Sequence, residues 1–302
     1  MIENLNLLKE KFSGSISINE NLSKYNWFNL GGPAEMLFKP KNIEQLKEFL
    51  IINKSSNNKI HILGAGSNTL FRDGGVKGVT IKLTSGFSEI KIIKNNIIIA
   101  GAAALDKKVS KFAQDNSLSG LEFLSCIPGS VGGAIVMNSG CYDQDMSKIL
   151  VSINTLDFDG NEKEISKNEI IFNYRGTNLP KNLIITSVKL KGELSNSDKI
   201  IETQNTMIDR KNNSQPNRIK TCGSTFKNTQ KIKAWKLIKE TDSHLIKCGD
   251  AIISEKHCNF FVNKGSAKSS DIEQLISEVR ENVFKKTGIK LELELKVVGD
   301  PK

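Results

Sequence analysis

Two glycine-rich runs constrain this chain more than anything else in its sequence. The longer is Ile127-Pro128-Gly129-Ser130-Val131-Gly132-Gly133-Ala134, continuing through Val136-Met137-Asn138-Ser139-Gly140. Glycine lets backbone approach a ligand closely, and Pro128 fixes one φ and removes one donor. Ordering so flexible a run costs conformational entropy. Bare N–H groups turned to one side give it a purpose, because they bind an anion or a cofactor. A tight loop that only lets two elements pack is the competing reading, and for a single run it is the commoner one. A second run, Gly64-Ala65-Gly66-Ser67-Asn68, moves the balance toward binding.

The surroundings of that second run read as a β-α-β unit. Leu5, Leu8 and Phe12 mark a short opening helix, followed by a polar lead-in. Tyr25–Ala34 enters a strand that continues through Met36-Leu37-Phe38 and stops at Pro40. Ile43, Leu46, Phe49 and Leu50 recur at helical spacing, so 41–53 is expected to be an amphipathic helix. Lys59–Leu63 reads as a short buried strand running straight into Gly64, and Val79–Leu83 as the next strand. A glycine turn after a strand is the usual place for a phosphate-binding loop. It is neither of the two commonest kinds. Thr69 stands where a Rossmann fingerprint has its third glycine, Leu70–Gly75 opens no helix, and no Gly-Lys-Ser/Thr follows. A diphosphate here would be held by loop amides and the Ser67 and Asn68 side chains, without a helix dipole.

Beyond residue 85 strands dominate. Ile90–Ile93 and Ile97–Ile99 flank a hairpin turn at Lys94-Asn95-Asn96. Val109, Phe112 and Ala113 mark a helix ending near Asn116. Strands are expected over 151–158 and 183–190, with Ile171–Gly176 between them. A boundary is expected in Lys191–Ser197, then helices over 198–210 and 230–240 and a strand pair around 250–254 and 259–263. The helix over 271–286 carries Ser270 and Glu273 as a capping box and Gly288 as its stop. The last strand, Leu291–Val297, alternates apolar and charged residues.

Composition excludes several classes. At 302 residues the chain is long enough for two cores, and 38% hydrophobic with 25% charged residues is a folding rather than a disordered mixture. Five widely spaced cysteines, an odd number without a C-x-x-C pair, argue against a disulfide framework and a zinc site. With three histidines, no metal centre is expected. No apolar stretch approaches a membrane span and no secretory signal opens the chain, so a cytoplasmic location is expected. The net charge of +10 fits either nucleic acid or the steering of small anions. Its lysines are scattered, without a basic–aromatic stripe, so nucleic acid is not expected to be the partner.

Few residues suggest chemistry by themselves. Ser224 lies between Gly223 and Thr225 in a loop that also holds Lys227 and Asn228, but no G-x-S-x-G elbow surrounds it. Capping a backbone N–H is its ordinary use. Arg175 could be a surface cation, Glu294 a solvated carboxylate and His257 a structural histidine.

Taken together and in order, these residues and the two glycine runs resemble the UDP-N-acetylenolpyruvoylglucosamine reductase (MurB) family. The similarity runs from about Tyr25 to Gly299. It rests on Phe28-Asn29-Leu30-Gly31-Gly32-Pro33-Ala34, Leu63–Asn68, Ile127–Ala134, Asn138-Ser139-Gly140-Cys141-Tyr142, Phe172-Asn173-Tyr174-Arg175, Gly223–Asn228 and Glu294–Gly299. Each motif is weak alone; the ordered set is specific.

The resemblance implies an α+β fold. A two-part FAD-binding domain of the vanillyl-alcohol-oxidase (PCMH) type would cover 20–192, in halves of about 20–84 and 85–192. A smaller α+β substrate-binding domain would cover 193–302, its last strand returning to the flavin. It implies FAD as cofactor and NADPH as co-substrate, with the diphosphate on Gly64, Ala65, Gly66, Ser67 and Asn68. The flavin and its linker would lie along Ile127, Pro128, Gly129, Gly133, Val136 and Gly140, with Lys296 beside them. The implied reaction is ping-pong: NADPH reduces FAD and leaves, then hydride passes to the vinyl carbon of UDP-N-acetylglucosamine enolpyruvate, giving UDP-N-acetylmuramate for peptidoglycan synthesis. Arg175 and Glu294 match the residues that polarise the substrate carboxylate, and Ser224 matches the proton donor. Lys227, Asn228 and His257 match the substrate pocket.

Three departures accompany the match. Lys296 stands where arginine is common, replacing a planar fork by a point charge. Gly176-Thr177 differs mildly from the usual pair. No tyrosine follows Tyr174, so the chain resembles the shorter subtype without a tyrosine loop, and Arg210 and Lys211 are candidates to cover the UDP diphosphate. A monomer is expected. Another PCMH-type flavin oxidoreductase, such as an alcohol or hydroxy-acid oxidase, and a basic nucleic-acid-binding protein are the alternatives.

Overall fold

Hydrophobic spacing and asparagine caps shape the first elements. In chain order they are α1 (Leu5–Lys11), β1 (Ile16–Asn21), β2 (Pro33–Phe38), α2 (Ile43–Ser56), β3 (Ile60–Leu63), β4 (Thr69–Phe71), β5 (Val76–Lys82), β6 (Ile90–Ile93), β7 (Ile97–Gly101), α3 (Asp106–Asp115) and α4 (Val131–Val136). The computed structural model describes residues 2–302. Asn42 starts α2 by accepting the Gln45 N–H at 2.9 Å, and Asn57 ends it at φ 49°. Between those caps Leu46, Phe49 and Leu50 are buried, and the Phe49 ring stacks on Phe38 of β2 at 4.1 Å. β1, β2, β5 and β3 form a sheet in that order, with β3 parallel to β5.

The chain divides into two units. One comprises the residues up to Ser17, Met36–Ala65 and Gly78–Lys211. The other comprises Ile18–Glu35, Gly66–Lys77 and Asn212–Lys302.

In the first unit a five-stranded sheet runs in the order Glu162–Ser166, Leu150–Asp157, Leu183–Lys191, β7, β6, each pair antiparallel. The expected hairpin between β6 and β7 forms, its turn taken by Asn95 and Asn96 at positive φ. Ile98, Val109, Phe123, Val131, Ile153 and Val188 meet in the core beneath the long glycine run. That run is not all loop: Val131–Val136 folds into α4, burying Val131 and Ile135. Its apolar residues find a core, which outweighs the poor helix propensity of two glycines.

The two units do not follow the order of the chain. Residues 193–211 stay with the first unit, where Glu193–Leu194 pairs with Leu118–Ser119 and Gln204 Nε2 donates to Ser110 Oγ at 2.9 Å. The helix continues to Ser214. Residues 18–35 and 66–77 instead join the C-terminal stretch. Pairings distant in sequence cause this: β4 runs parallel to Lys296–Val298, and Asn263 Nδ2 donates to Phe28 O at 2.9 Å. The expected polar lead-in after α1 is also partly strand β1, and Tyr25–Gly32 is a 3-10 turn and loop rather than strand.

The second unit packs Phe28, Leu70, Phe226, Leu237, Phe261, Ile272 and Leu295 into one core. Its long helix, Ser269–Thr287, ends at Gly288 as expected, with φ 69°. The expected Ser270–Glu273 capping box does not form, because Ser270 lies inside the helix. Asp73 accepts the Ser269 and Ser270 N–H groups at 3.0 and 3.1 Å, while Glu273 takes the Arg72 guanidinium at 2.8 Å. Of the expected last strand only Lys296–Val298 joins a ladder, yet Leu291 and Leu295 are buried and Glu292 and Lys296 exposed.

Burial raises the Asp73 carboxyl pKa, but the Ser269 and Ser270 donors outweigh it and hold the group below the usual carboxylate range. The cap therefore stabilises above the unfolded value near 4 and is lost as pH falls through the folded one. Asp73→Ala should cost about 1 kcal/mol in urea unfolding at pH 7. The gap from wild type should narrow as pH falls below about 4, and a gap unchanged by acid would contradict the cap.

Candidate functional site

Within the first unit the two glycine runs meet at one hydroxyl. A β-carbon on Gly64 would lie 3.1 Å from Ser130 Oγ, and one on Gly133 3.6 Å from the same atom. Ser130 is buried, whereas Gly64 and Gly133 are exposed and Val136 is 47% exposed. The Val131 and Gly132 amides are spoken for, donating to Ala104 O and Ala102 O at 2.9 Å. Those of Gly129, Ser130 and Gly133 find no acceptor among the described residues. Nor does any amide from Gly64 to Asn68. Buried backbone donors are nearly always paired, and two of these, on Gly66 and Ser130, are buried, so the runs offer donors suited to an acceptor from outside. A flat, anionic group such as FAD fits these residues: acceptor oxygens for the amides, and no β-carbon at Gly64 or Gly133 to hold it off.

Arg175 belongs to the first unit. Asn173 pairs with Gly176 across a hairpin whose turn is Tyr174-Arg175, and Arg175 sits at φ 59°, a conformation arginine seldom adopts. Its guanidinium lies 5.1 Å from the Tyr174 ring centroid. Asn138 Nδ2 donates to Asn173 O at 3.3 Å and Thr177 Oγ1 to Val136 O at 3.4 Å, so the hairpin is tied to the glycine run.

Cys126 and Cys141 bracket that run. The neighbouring thiols shift each other in opposite directions: the Cys141 thiol, with the Lys211 charge, favours the Cys126 thiolate against burial, while Cys126 and burial push Cys141 up, and Cys141 Sγ donates to Phe123 O at 3.7 Å. Lys211 Nζ donates to Cys126 O at 2.9 Å. Arg210 is exposed and lines a shallow pocket of about 290 Å³ with Tyr142, Glu202 and Thr206.

In the second unit a web of main-chain bonds gathers five of the expected residues. Glu294 N donates to Thr225 O at 2.9 Å, beside Ser224. Asn68 Nδ2 donates to Glu294 O at 3.1 Å, and Lys296 N to Asn68 O at 3.0 Å. Lys227 N donates to Glu292 O at 2.8 Å, and its ammonium lies 3.7 Å from Glu292 Oε2. Asn259 fixes the Ser224 loop from behind, exchanging side-chain bonds with Phe226 N and O at 3.0 and 2.8 Å. Ser224 and Glu294 are half-buried, Lys296 exposed. Gly66 sits at φ +71°, where a β-carbon would lie 2.0 Å from Tyr25 O, so this position admits glycine alone.

Two expected pocket residues have structural partners. Asn228 Oδ1 accepts the Ala234 N–H at 3.0 Å. His257 Nδ1 accepts the Asn259 N–H at 3.2 Å, and its ring meets Phe260 edge-on at 4.8 Å. Sequence reasoning missed Ser130, whose place between Gly129 and Val131 carried no signal of its own. It also missed Lys82, whose ammonium reaches Gly64 O at 2.7 Å; a lysine ending a strand looks like any other. Among the described residues no group of three or more His, Cys, Asp or Glu could hold a metal, and no helix is long and apolar enough to cross a membrane.

Comparison with known proteins gives two family matches. Residues 34–166 match the FAD binding domain, and residues 215–298 match the UDP-N-acetylenolpyruvoylglucosamine reductase C-terminal domain. A UDP-N-acetylenolpyruvoylglucosamine reductase of Pelagibacter ubique is 45% identical over 302 residues, covering 98% of this chain and 99% of that one. One from Rickettsia bellii is 43% identical, covering 92% of each. The crystal structure of the Thermus caldophilus reductase superposes with a TM-score of 0.81 at 32% identity, covering 94% of this chain and 98% of that one.

Burial lowers the His257 pKa, which a backbone bond only partly offsets. The neutral ring is thus favoured when folded, and its contribution is full above the unfolded value near 6.5 and is lost as pH falls from there through the lower folded value. An NMR titration of the ring proton should give a midpoint below 6.5. A midpoint at or above that value would contradict the burial.

Proposed function

Because the chain belongs to the UDP-N-acetylenolpyruvoylglucosamine reductase family, we propose that it reduces UDP-N-acetylglucosamine enolpyruvate with NADPH, in peptidoglycan precursor synthesis. The observation that carries this reading is the set of amides without acceptors in both glycine runs, which suits an FAD-dependent oxidoreductase. When bound, FAD supplies the hydride, taken from NADPH and passed to the vinyl carbon of the second substrate.

The chain's own residues would then do three things. The amides of Gly64, Ala65, Gly66, Ser67 and Asn68 hold the diphosphate, while Gly129, Gly133, Val136 and Gly140 leave room for the ring. Arg175 and Glu294 steady the negative charge that builds on the substrate carboxylate as hydride arrives. Ser224 Oγ delivers a proton to the carbon beside that carboxylate, a general-acid step. A serine hydroxyl is a weak acid, so the developing carbanion supplies most of the driving force; the nearby Lys227 ammonium replenishes positive field. His257, kept neutral by burial, suits hydrogen bonding to substrate rather than charge. The +10 charge serves to steer two anionic substrates. We read the enzyme as a cytoplasmic monomer without a nucleic-acid partner.

Stopped-flow measurement of the two half-reactions separates these roles. Ser224→Ala should leave flavin reduction by NADPH nearly intact and slow flavin reoxidation by the enolpyruvyl substrate by about 10²- to 10⁴-fold. Equal losses in both halves would refute the proton-donor role.

A further inference from the structure

Lys82 stands behind the first glycine run. It ends β5, and its ladder partner in parallel register is Leu63, the residue that leads into the turn. Its Nζ donates to Gly64 O at 2.7 Å. The side chain is half-buried, its bond to Gly64 O lies at an exposed position, and no carboxylate bonds to it among the described residues. The charge facing it is another cation, Lys39, which makes the ammonium harder to keep charged than burial alone does. Withdrawing an ammonium from water beside a like charge, for a single carbonyl bond, costs free energy. A mere clip at the end of a strand would be served as well by a neutral donor.

The geometry of the peptide group supplies the reason. In a trans peptide the C=O and the following N–H point in opposite directions. Fixing Gly64 O on Lys82 therefore turns the Ala65 N–H the other way. That N–H is one of the five consecutive amides with no protein acceptor. A cation on the carbonyl also polarises the peptide, strengthening its N–H as a donor.

We propose that Lys82 is a positioning residue for the cofactor diphosphate: by holding the Gly64 carbonyl it aims the Ala65 N–H, and adds positive field, at a phosphate oxygen bound by the Gly64–Asn68 loop. This rests on the reading that the loop binds the FAD diphosphate. The anionic cofactor then supplies Lys82 with a counter-charge. The role depends on a full positive charge, so an arginine can carry it and an apolar side chain of similar length cannot.

Flavin binding to the deflavinated full-length chain, followed by flavin fluorescence, tests this with FAD and with riboflavin, which lacks phosphate. Lys82→Met should weaken FAD binding about tenfold or more and leave riboflavin binding unchanged, whereas Lys82→Arg should stay within about threefold of wild type. Wild-type FAD affinity should fall as pH rises toward the ordinary lysine value near 10.4, beginning below it because burial and Lys39 lower the Lys82 pKa, and Lys82→Arg should abolish that fall. If Lys82→Met does not fold, this pH comparison decides alone, and parallel falls in the two proteins overturn the proposal. Equal weakening of FAD and riboflavin would make Lys82 a structural clip and overturn it too. Unchanged FAD binding in Lys82→Met, with weakened binding in Ser67→Ala and Asn68→Ala, would sink the lysine's role and leave the loop reading intact. No weakening in any of the three would remove the loop reading itself.

Discussion

Backbone amides left without acceptors are the constraint on which the functional part of this structure depends. A folded chain rarely leaves such donors unpaired, and here they occur in both glycine runs. Everything close by serves to keep them bare and aimed. Ala102 and Ala104 take the amides of Gly132 and Val131, which fixes the start of α4 without consuming those of Gly129, Ser130 and Gly133. Ser130 Oγ sits close to the Cβ directions of both Gly64 and Gly133.

The same economy holds in the second unit. Ser224, Glu294 and Asn68 stand on short irregular segments and Lys296 opens a three-residue strand, which alone would be poorly fixed. Main-chain bonds through Thr225, Asn259 and the Asn68 side chain tie them into one lattice. Beneath it lie Phe226 and Phe261, packed edge-to-face at 5.7 Å. Side chains suited to charge stabilisation and proton delivery are thus carried by backbone that cannot shift independently.

Local patterns were legible in the sequence wherever the determinants were local. Helical spacing located α2 and α3, the asparagine turn located the β6–β7 hairpin, and Gly288 located a helix end. The capping of Ser269–Thr287 was not legible, because its acceptor is Asp73, far away in the chain. The joining of residues 66–77 to the C-terminal stretch was not legible for a like reason: β4 pairs with a strand more than two hundred residues later. α4 was hidden by its glycines, whose low helix propensity is overridden by burial of Val131 and Ile135. In the site, motif residues were nameable from the ordered set of matches. The supports Ser130 and Lys82 were not, since their importance lies in what they touch.

The most direct test of the central claim is the visible absorbance spectrum of the purified protein, recorded anaerobically before and after NADPH and again after UDP-N-acetylglucosamine enolpyruvate. The account predicts a yellow protein carrying one FAD per chain, bleached by NADPH and restored by the enolpyruvyl substrate. A colourless protein that takes up no FAD, or one whose bleached flavin is not restored by that substrate, would contradict it.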